Sequence, residues 1–323
     1  MTYLVTGAAG FIGFHTSLRL LARGEKVVGL DNLNDYYDPK IKLARLEVLK
    51  THAGFTFVQI DIADRAAMED MIKGHQDVTR IIHLAAQAGV RYSLVNPYAY
   101  THANVEGHLV MLELARHLPK LEHIAYASSS SVYGGNEKLP FSVDDRVDNP
   151  ISLYAATKKA NELMSHCYSH LYQIPTTGLR FFTVYGPWGR PDMSAFLFTK
   201  AILDGKPIHV FNNGDMRRDF TFVDDIVSGI VAVTDSPPSG VKPYRVYNIG
   251  NNRSEKLTHF IDLIEQACGK KAEVILEPMQ PGDVKETYAD IEAIQRDHGY
   301  RPTTSIDVGI PKFVEWYRGF FKV

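Results

Sequence analysis

The first part of the chain carries the feature that most restricts the possible fold. Residues 3–6 have the pattern of a short buried strand, and Gly-Ala-Ala-Gly-Phe-Ile-Gly follows at 7–13. An amphipathic pattern extends to about residue 22, and a second strand pattern at 26–30 ends at Asp31. This order of strand, glycine loop, helix, strand and acid is typical of a dinucleotide-binding unit. Glycines let the main chain turn tightly and approach a pyrophosphate at the helix N-terminus.

The acid after the second strand indicates which dinucleotide would bind. The Asp31 carboxylate can accept hydrogen bonds from both ribose hydroxyls of an adenosine. Asn32 follows it, and no Lys or Arg does, so a 2′-phosphate would meet a carboxylate without a cation. The sequence therefore favours NAD over NADP as the cofactor. The candidate cofactor contacts in this unit are Gly7, Gly10, Phe11, Ile12, Gly13, Asp31 and Asn32.

Apolar segments continue to alternate with helical patterns through the first half of the chain. Further strands are expected at 55–59, 80–84, 123–127 and 176–180, with helices at 65–72, at 97–116 and from Tyr154 to about Tyr172. The alternation predicts an α/β fold with a Rossmann-like doubly wound parallel sheet and a smaller C-terminal substrate-binding domain. The predicted domains are 1–180 with returning segments near 223–250 for NAD, and 181–222 with 251–323 for the substrate.

Composition excludes several other classes of protein. The 323 residues are 45% hydrophobic and carry a net charge of −2, which does not suit a nucleic-acid or anionic-membrane binder. No histidine or cysteine spacing predicts a metal site, and the two cysteines, Cys167 and Cys268, cannot form a disulfide framework. No apolar run is long enough to span a bilayer. We therefore expect a cytoplasmic protein without a metal.

Tyr154 and Lys158 are the candidate catalytic pair. They lie four residues apart in a helical segment, so both side chains share one face. A lysine ammonium beside a phenol favours the phenolate, which would lower the pKa of the tyrosine and let it take a proton from an alcohol. The alternative is a chance pair on a solvated helix face. The glycine loop and strand pattern favour the catalytic interpretation.

Together, the Gly-x-x-Gly-x-x-Gly spacing and the Tyr-x-x-x-Lys pair resemble the extended short-chain dehydrogenase/reductase family. The resemblance implies a catalytic hydroxyl at Ser129, by alignment on Val-Tyr-Gly at 132–134. It implies an acid and its neighbour beside the adenine ring and a buried asparagine that supports the cofactor. The further cofactor contacts expected on this basis are Asp61, Ile62, Leu84, Ala85, Ala86, Asn104, Tyr154, Lys158 and Phe181.

Within that family the chain looks most like the UDP-glucuronate 4-epimerases. The resemblance rests on Asp-Asn-Leu-Asn-Asp-Tyr-Tyr at 31–37, Ala-Gln-Ala-Gly-Val-Arg-Tyr-Ser at 86–93 and Gly-Pro-Trp-Gly-Arg-Pro-Asp-Met at 186–193. It implies that an arginine binds the diphosphate, an acid holds the nucleoside, and hydroxyls with a second arginine suit a sugar carboxylate. The candidate substrate contacts are Arg91, Ser129, Ser130, Ser131, Thr183, Arg190, Arg218 and Asp283.

The resemblance implies an isomerase that interconverts UDP-glucuronate and UDP-galacturonate through a 4-keto sugar while bound NAD is recycled. It also implies a homodimer that pairs the helices near 97–116 and 153–172. Three alternatives stay open: a 4-epimerase of UDP-glucose or UDP-N-acetylglucosamine, a UDP-glucuronate decarboxylase, and a non-catalytic dinucleotide sensor. Hydroxyls at 128–131, where decarboxylases carry an acid, favour epimerisation, and the complete Ser129, Tyr154 and Lys158 set disfavours a sensor.

Overall fold

The apolar segments of the first half form parallel strands. A computed structural model describes every residue, Met1–Val323. The strands are β1 (Thr2–Thr6), β2 (Lys26–Asp31), β3 (Phe55–Gln59), β4 (Arg80–His83), β5 (His123–Ser129), β6 (Thr176–Phe181), β7 (Thr183–Tyr185), β8 (Ile208–Phe211), β9 (Arg217–Arg218), β10 (Phe220–Phe222), β11 (Tyr244–Ile249), β12 (Glu255–Lys256) and β13 (Val274–Glu277).

Seven of these strands form one sheet in the order β11-β6-β5-β4-β1-β2-β3, and all of its pairs are parallel. All five residues of β1 are buried, as expected when helices cover both faces of a parallel sheet. The strand order reverses between β1 and β4, and a crevice opens at the carboxyl ends of the strands at such a point. The predicted fold class is confirmed.

Helices connect the strands and cover the sheet. They are α1 (Phe11–Ala22), α2 (Lys40–Lys50), α3 (Arg65–Lys73), α4 (Tyr92–Val95), α5 (Pro97–Tyr100), α6 (Gly107–His117), α7 (Leu153–Tyr172), α8 (Ser194–Asp204), α9 (Val223–Asp235), α10 (Leu257–Cys268), α11 (Glu292–His298) and α12 (Ile306–Phe321). None of them is long and apolar enough to cross a membrane.

Two helical features depart from the sequence predictions. Helix α2 was not predicted, because its apolar stripe is narrow and interrupted by charged residues, including the buried Lys42 and Arg45. The helix expected at 97–116 contains a π-helical turn, Thr101–Glu106, between α5 and α6. Such wide turns occur often at functional sites. Here the turn contains the buried Asn104.

The second half of the chain adds a smaller lobe with its own core. Its 21 buried residues come mainly from α8, α10, α12 and the short strands, and Phe220 stacks on Phe260 with ring centroids 4.0 Å apart. Strand β11 forms one edge of the main sheet, and α9 packs in the core of the sheet domain. Ala289, Ile294 and Tyr300 also pack in the main core. Residues 289–300, which the prediction gave to the substrate domain, therefore pack with the sheet.

Candidate active site

The carboxyl ends of the sheet strands open into one cavity of about 1130 Å³ that continues between the two lobes. Ligand pockets for drug-sized molecules are of about 300–1,000 Å³. The cavity is therefore large enough for a long ligand, or for two ligands end to end. Every candidate residue except Asn104 lines it: Gly7, Gly10, Phe11, Ile12, Gly13, Asp31, Asn32, Asp61, Ile62, Leu84, Ala85, Ala86, Arg91, Ser129, Ser130, Ser131, Tyr154, Lys158, Phe181, Thr183, Arg190, Arg218 and Asp283.

The glycine loop meets the steric demands of a pyrophosphate site. Gly7 has φ +70°, which favours glycine, and a Cβ on Gly13 would lie only 2.0 Å from the main-chain oxygen of Gly7. Helix α1 starts directly after Gly10 and has no side-chain cap, so its first N–H groups can meet an anion. The loop therefore fits the diphosphate of a dinucleotide.

Asp31 is held at the edge of the cavity by two main-chain donors. Its Oδ2 accepts a hydrogen bond from the Ala9 N–H at 3.2 Å, and its Oδ1 accepts one from the Leu33 N–H at 2.9 Å. A carboxylate has about four acceptor positions, so capacity remains for ribose hydroxyls. The neighbouring Asn32 donates to Oδ2 of Asp61 at 3.0 Å. The free acceptor positions of Asp31 fit the ribose of an adenosine, while Lys42, which lines the same cavity, has its Nζ bound to the main-chain and side-chain oxygens of Asn34.

Asn104 lies behind the cavity wall. Its Oδ1 accepts from the Gln87 N–H at 2.8 Å, and its Nδ2 donates to the Gln87 oxygen and to Oγ1 of Thr157, each at 3.0 Å. The side chain is therefore bound within the protein and does not line the cavity, and its expected role in supporting the cofactor stays a prediction. Asn104 fastens the segment after β4 to α7, and so positions the cavity wall.

Helix α7 brings the catalytic candidates to the cavity. Ser152 caps the helix by accepting a hydrogen bond from the Ala155 N–H at 3.1 Å, which places Tyr154 in the first turn and Lys158 one turn later. Lys158 Nζ donates to the main-chain oxygen of Ala127 at 2.8 Å. Burial lowers the pKa of Lys158 to about 8, because it disfavours the charged form.

The ionisation of Tyr154 differs from the prediction. Burial raises its pKa, while a hydrogen bond with Ser129 and the charge of Arg190 act in the opposite direction. Lys158 is not among the groups that shift the pKa of this phenol, and its Nζ donates to the oxygen of Ala127. The expectation of a lowered pKa is therefore wrong for the chain without its ligands.

The serine run at the end of β5 divides between the cavity and the core. Ser129 accepts a hydrogen bond from the Ser131 N–H and donates to the Ser131 hydroxyl, both at 3.1 Å. Ser128 points the other way and donates to the buried Glu162 carboxylate at 2.7 Å. Glu162 also forms a two-point ion pair with Arg180. The cavity therefore receives hydroxyls from this strand end.

Arg190 is already paired within the protein. Its Nε lies 3.0 Å from Oδ1 of Asp192 and its Nη2 lies 2.5 Å from Oδ2. The hydroxyl of Tyr36 donates to Oδ2 of Asp192 at 3.0 Å. Sequence reasoning missed Asp192 and Tyr36 as site residues, although both line the cavity. The sequence feature that could have identified Asp192 is its position two residues after Arg190 in the loop at 186–193.

At the other end of the cavity, the two lobes meet through Arg91. Its Nη2 lies 2.8 Å from Oδ2 of Asp283, and its guanidinium lies 4.2 Å from the ring centroid of Phe211. Arg218 Nη1 donates to the main-chain oxygens of Arg217 and Lys285. Two arginines, an acid and an aromatic ring are thus collected from distant segments. Phe211 was not predicted as a site residue.

The sheet, the glycine loop and the tyrosine–lysine pair at the cavity define a dinucleotide-binding enzyme of the α/β class. A family model described as the NAD dependent epimerase/dehydratase family matches residues 3–250. The chain therefore belongs to the NAD-dependent epimerase/dehydratase family. This finding confirms NAD as the predicted cofactor, and the glycine loop and the Asp31 cluster fit it.

Three similar proteins extend over the whole chain. A probable UDP-glucuronate 4-epimerase of Rhizobium meliloti is 47% identical over 333 residues, covering 98% of this chain and 97% of that protein. The structure of UDP-glucuronic acid 4-epimerase from Bacillus cereus with UDP-glucuronic acid and NAD has a TM-score of 0.92 and 33% identity, covering 99% of this chain and 100% of the other. UDP-glucose 4-epimerase from Thermotoga maritima with UDP-glucose has a TM-score of 0.88 and 29% identity, covering 99% and 100%.

Proposed function

We propose that this chain is an isomerase that interconverts UDP-glucuronate and UDP-galacturonate with tightly bound NAD. The similarity to the Rhizobium meliloti protein and to the Bacillus cereus structure supports this substrate. The observation that carries the proposal lies in the chain itself. A partly buried tyrosine, Tyr154, with a serine neighbour faces the same cavity as Arg190 and the hydroxyls of the serine run.

The proposed reaction is a reversible oxidation at C4 of the sugar. Bound NAD supplies a hydride acceptor and later a hydride donor. Tyr154 takes the proton of the C4 hydroxyl, and Ser129 donates a hydrogen bond to the same oxygen. Lys158, anchored on the oxygen of Ala127, keeps further N–H donors for the ribose beside the nicotinamide. Tyr154 returns the proton after the sugar has turned over about its diphosphate.

Residues at the sugar end of the cavity favour a carboxylate on C6. Thr183, Ser130, Ser131 and Arg190 all line the cavity, and the charge of Arg190 acts on Tyr154. Hydroxyls and a guanidinium are suited to a carboxylate, because all of them donate hydrogen bonds to its oxygens. Replacing Arg190 by Ala should weaken substrate binding or raise the share of by-product. A neutral-sugar epimerase would not need the arginine.

The decarboxylase alternative is less well supported. The serine run at residues 128–131 contains no acid, and the carboxylate next to it, Glu162, is buried with Arg180 and Ser128. Glu162 is therefore shielded from the cavity. The other acid near the sugar end, Asp192, is paired with Arg190.

The uridine diphosphate is proposed to bind between the lobes. Arg218 and Arg91 can pair with phosphate oxygens, since a guanidinium offers a planar fork of donors. Asp283 can hold the nucleoside ribose. Because Arg91 now pairs with Asp283, binding of the nucleotide would rearrange this contact.

We further propose a cytoplasmic homodimer. Both cysteines are free, which suits a reducing compartment. Apolar side chains project to solvent from α4, α5, α6 and α7, where Val95 is 77% exposed, Tyr98 83% and Leu163 60%. Exposed apolar groups collected on neighbouring helices are typical of an interface between subunits. Helices α5, α6 and α7 overlap the ranges 97–116 and 153–172 that the resemblance pairs in a dimer, and α4 directly precedes α5.

The test is to incubate purified protein with UDP-glucuronate, without added NAD, and to follow the sugar by proton NMR. Formation of UDP-galacturonate would support both the reaction and the recycling of bound NAD. Formation of a UDP-pentose would contradict the argument from the serine run and indicate a decarboxylase. Turnover of UDP-glucose or UDP-N-acetylglucosamine in place of UDP-glucuronate would contradict the carboxylate role of Arg190. Bound NAD with no turnover of any nucleotide sugar would indicate the sensor.

A further inference from the structure

Asp192 bonds to both Arg190 and Tyr36 in the wall of the cavity. We propose that Asp192, held by Tyr36, is a positioning residue that fixes the direction of the Arg190 guanidinium and thereby limits loss of the sugar carboxyl group as carbon dioxide. This inference rests on the proposed function and adds two residues to it. Neither residue needs to contact the reacting atoms.

The ion pair leaves a defined part of Arg190 free. Asp192 occupies Nε and Nη2, so the donors that remain are mainly those of Nη1. The two side chains are 22% and 27% exposed, and both line the cavity. Although burial alone would raise it, the charge of Arg190 holds the pKa of Asp192 below its usual value. The carboxylate therefore stays ionised as the counter-ion of Arg190.

Tyr36 anchors Asp192 from a different part of the chain. Its hydroxyl donates to Oδ2 of Asp192 at 3.0 Å, and its ring lies 4.7 Å from that of Tyr92. Gly89 provides the space for this contact. It has φ +103°, and a Cβ there would lie 3.0 Å from the Tyr36 hydroxyl and 3.9 Å from Oδ2 of Asp192. The segments that follow β2, β4 and β7 thus meet at one carboxylate.

The main chain leading to Arg190 is fixed separately. Arg45 of α2 is fully buried and donates from Nη2 to the oxygen of Trp188 at 2.6 Å. Its Nη1 donates to the oxygen of Ala9 in the glycine loop at 2.8 Å. Because Arg45 holds the loop, a change at Asp192 should alter the direction of the Arg190 side chain without releasing its backbone.

Direction matters at the ketone stage of the proposed reaction. With C4 oxidised, the sugar is a β-keto acid, and decarboxylation breaks the bond between C5 and C6. The electron pair of that bond becomes part of the enolate of the C4 ketone, carbon dioxide leaves, and a proton adds at C5. The step is favoured when the breaking bond lies parallel to the carbonyl π orbitals. A guanidinium held in one direction can keep the carboxylate out of that alignment, whereas a free one cannot.

The most direct test is Asp192→Asn. The amide has nearly the shape of the carboxylate, but it lacks the negative charge and cannot accept from both Nε and Nη2 of Arg190. We expect the ratio of UDP-pentose products to UDP-galacturonate to rise about tenfold, the usual worth of a hydrogen bond to a charged group. Reduced cofactor should accumulate, since a 4-keto pentose that leaves early takes no hydride back. Affinity for UDP-glucuronate should be unchanged or tighter, because a negative charge near the substrate carboxylate is gone. A merely structural role would instead weaken binding of UDP and of the sugar together.

Tyr36→Phe is a second and milder variant, which removes one hydroxyl. The product ratio should shift in the same direction by about threefold, which is less than for Asp192→Asn because Arg190 keeps both of its own contacts with Asp192. Asp204→Asn is the matched control, since Asp204 pairs with Lys200 and does not line the cavity. Its product ratio should equal that of the unchanged protein.

Product ratios are measured by proton NMR at equal substrate consumption, with cofactor reduction followed by absorbance. If the unchanged protein does not turn over UDP-glucuronate, the proposed function fails. If it does, and Asp192→Asn and Tyr36→Phe give the same product ratio as the control, the positioning role of Asp192 is overturned while the proposed function stands. A raised ratio accompanied by weakened binding of UDP itself would also overturn it, in favour of a structural role.

Discussion

Lys158 donates a hydrogen bond from Nζ to the main-chain oxygen of Ala127 at 2.8 Å. This contact joins α7 to the end of β5, so the lysine is held beside the cavity before any ligand binds. Burial lowers the pKa of Lys158 to about 8. The same burial raises the pKa of Tyr154. Burial therefore favours the neutral form of both side chains. Bound cofactor and substrate must supply the remaining stabilisation of the Tyr154 phenolate.

The first prediction concerns this pair. Tyr154→Phe should lower kcat by about 10²–10⁴-fold, the usual contribution of a general base or acid. Lys158→Met should lower kcat to a similar extent and also weaken retention of NAD. Turnover of UDP-glucuronate and the NAD content of the purified protein measure both effects.

The matched control for the lysine is Lys159→Met. Lys159 is one residue further along α7 and pairs with Glu162 at 3.4 Å, so it should keep both turnover and bound NAD. Equal loss in the two lysine variants would contradict a specific role for Lys158.

The second prediction concerns the glycine loop. Gly13→Ala would bring a Cβ to 2.0 Å from the Gly7 oxygen and 2.7 Å from its carbonyl carbon, both of them main-chain atoms that cannot yield easily. We expect a loss of roughly 1–3 kcal/mol in the free energy of unfolding, as for overpacked cores. NAD should be lost as well, because the loop that receives the diphosphate must shift. Urea unfolding and cofactor content give the two readouts.

Gly319→Ala serves as its control in the same protein. Gly319 lies in α12, and nothing is within 4 Å of a Cβ placed there. Alanine in a helix is favoured over glycine by about 0.5–1 kcal/mol, so this variant should be slightly stabilised and keep its NAD. A stable Gly13→Ala protein with full cofactor would refute the packing argument.

The third prediction is a loss of stability in mild acid. Burial lowers the pKa of His83 from 6.5 to about 3 and that of His123 to about 4. The unfolded chain therefore binds more protons than the folded chain below pH 6.5, and stability falls as the pH is lowered from there. Each histidine can contribute up to about 1.4 kcal/mol per pH unit. Asp219, whose pKa burial raises to about 6, acts in the opposite sense between pH 6 and 3.8.

His83→Asn isolates one of these contributions, since an amide can keep a hydrogen bond to Thr6, which now lies 2.7 Å from Nδ1. Between pH 6.5 and pH 5, the free energy of unfolding of the variant should fall by up to about 2 kcal/mol less than that of the wild-type protein. Urea unfolding at the two pH values measures the difference. Identical pH dependence in the two proteins would mean that His83 is not held neutral by burial.

The fourth prediction concerns the proposed dimer. Leu163 projects from α7 and is 60% exposed, so Leu163→Glu would place a charge in the proposed interface. We expect the molar mass from light scattering to fall toward that of one chain. Leu276→Glu is the control, because Leu276 is similarly exposed at 58% but lies on β13 in the smaller lobe. A shift in both variants, or in neither, would count against an interface at α7.

Much of the fold and of the cavity wall was predictable from sequence. The glycine loop, the apolar strands and the spacing of Tyr154 and Lys158 are local patterns, and each implies one backbone geometry. Because parallel strands place their carboxyl ends at one edge, residues such as Leu84 and Ser129 were expected together, and both line the cavity. Helix α2 was missed, since its pattern is weak and tertiary packing stabilises it.

By itself, the sequence determined the fold class and many of the residues around the cavity, because these follow from short-range periodicity and motif spacing. Only the tertiary structure decided which partners those residues bind. Tyr36 reaches Asp192 across 156 positions and Arg91 reaches Asp283 across 192, and no local pattern encodes such pairs. Burial, which also depends on the whole fold, set the direction of the pKa shift of Tyr154. Contacts between distant segments and exclusion of water are properties of the folded chain alone.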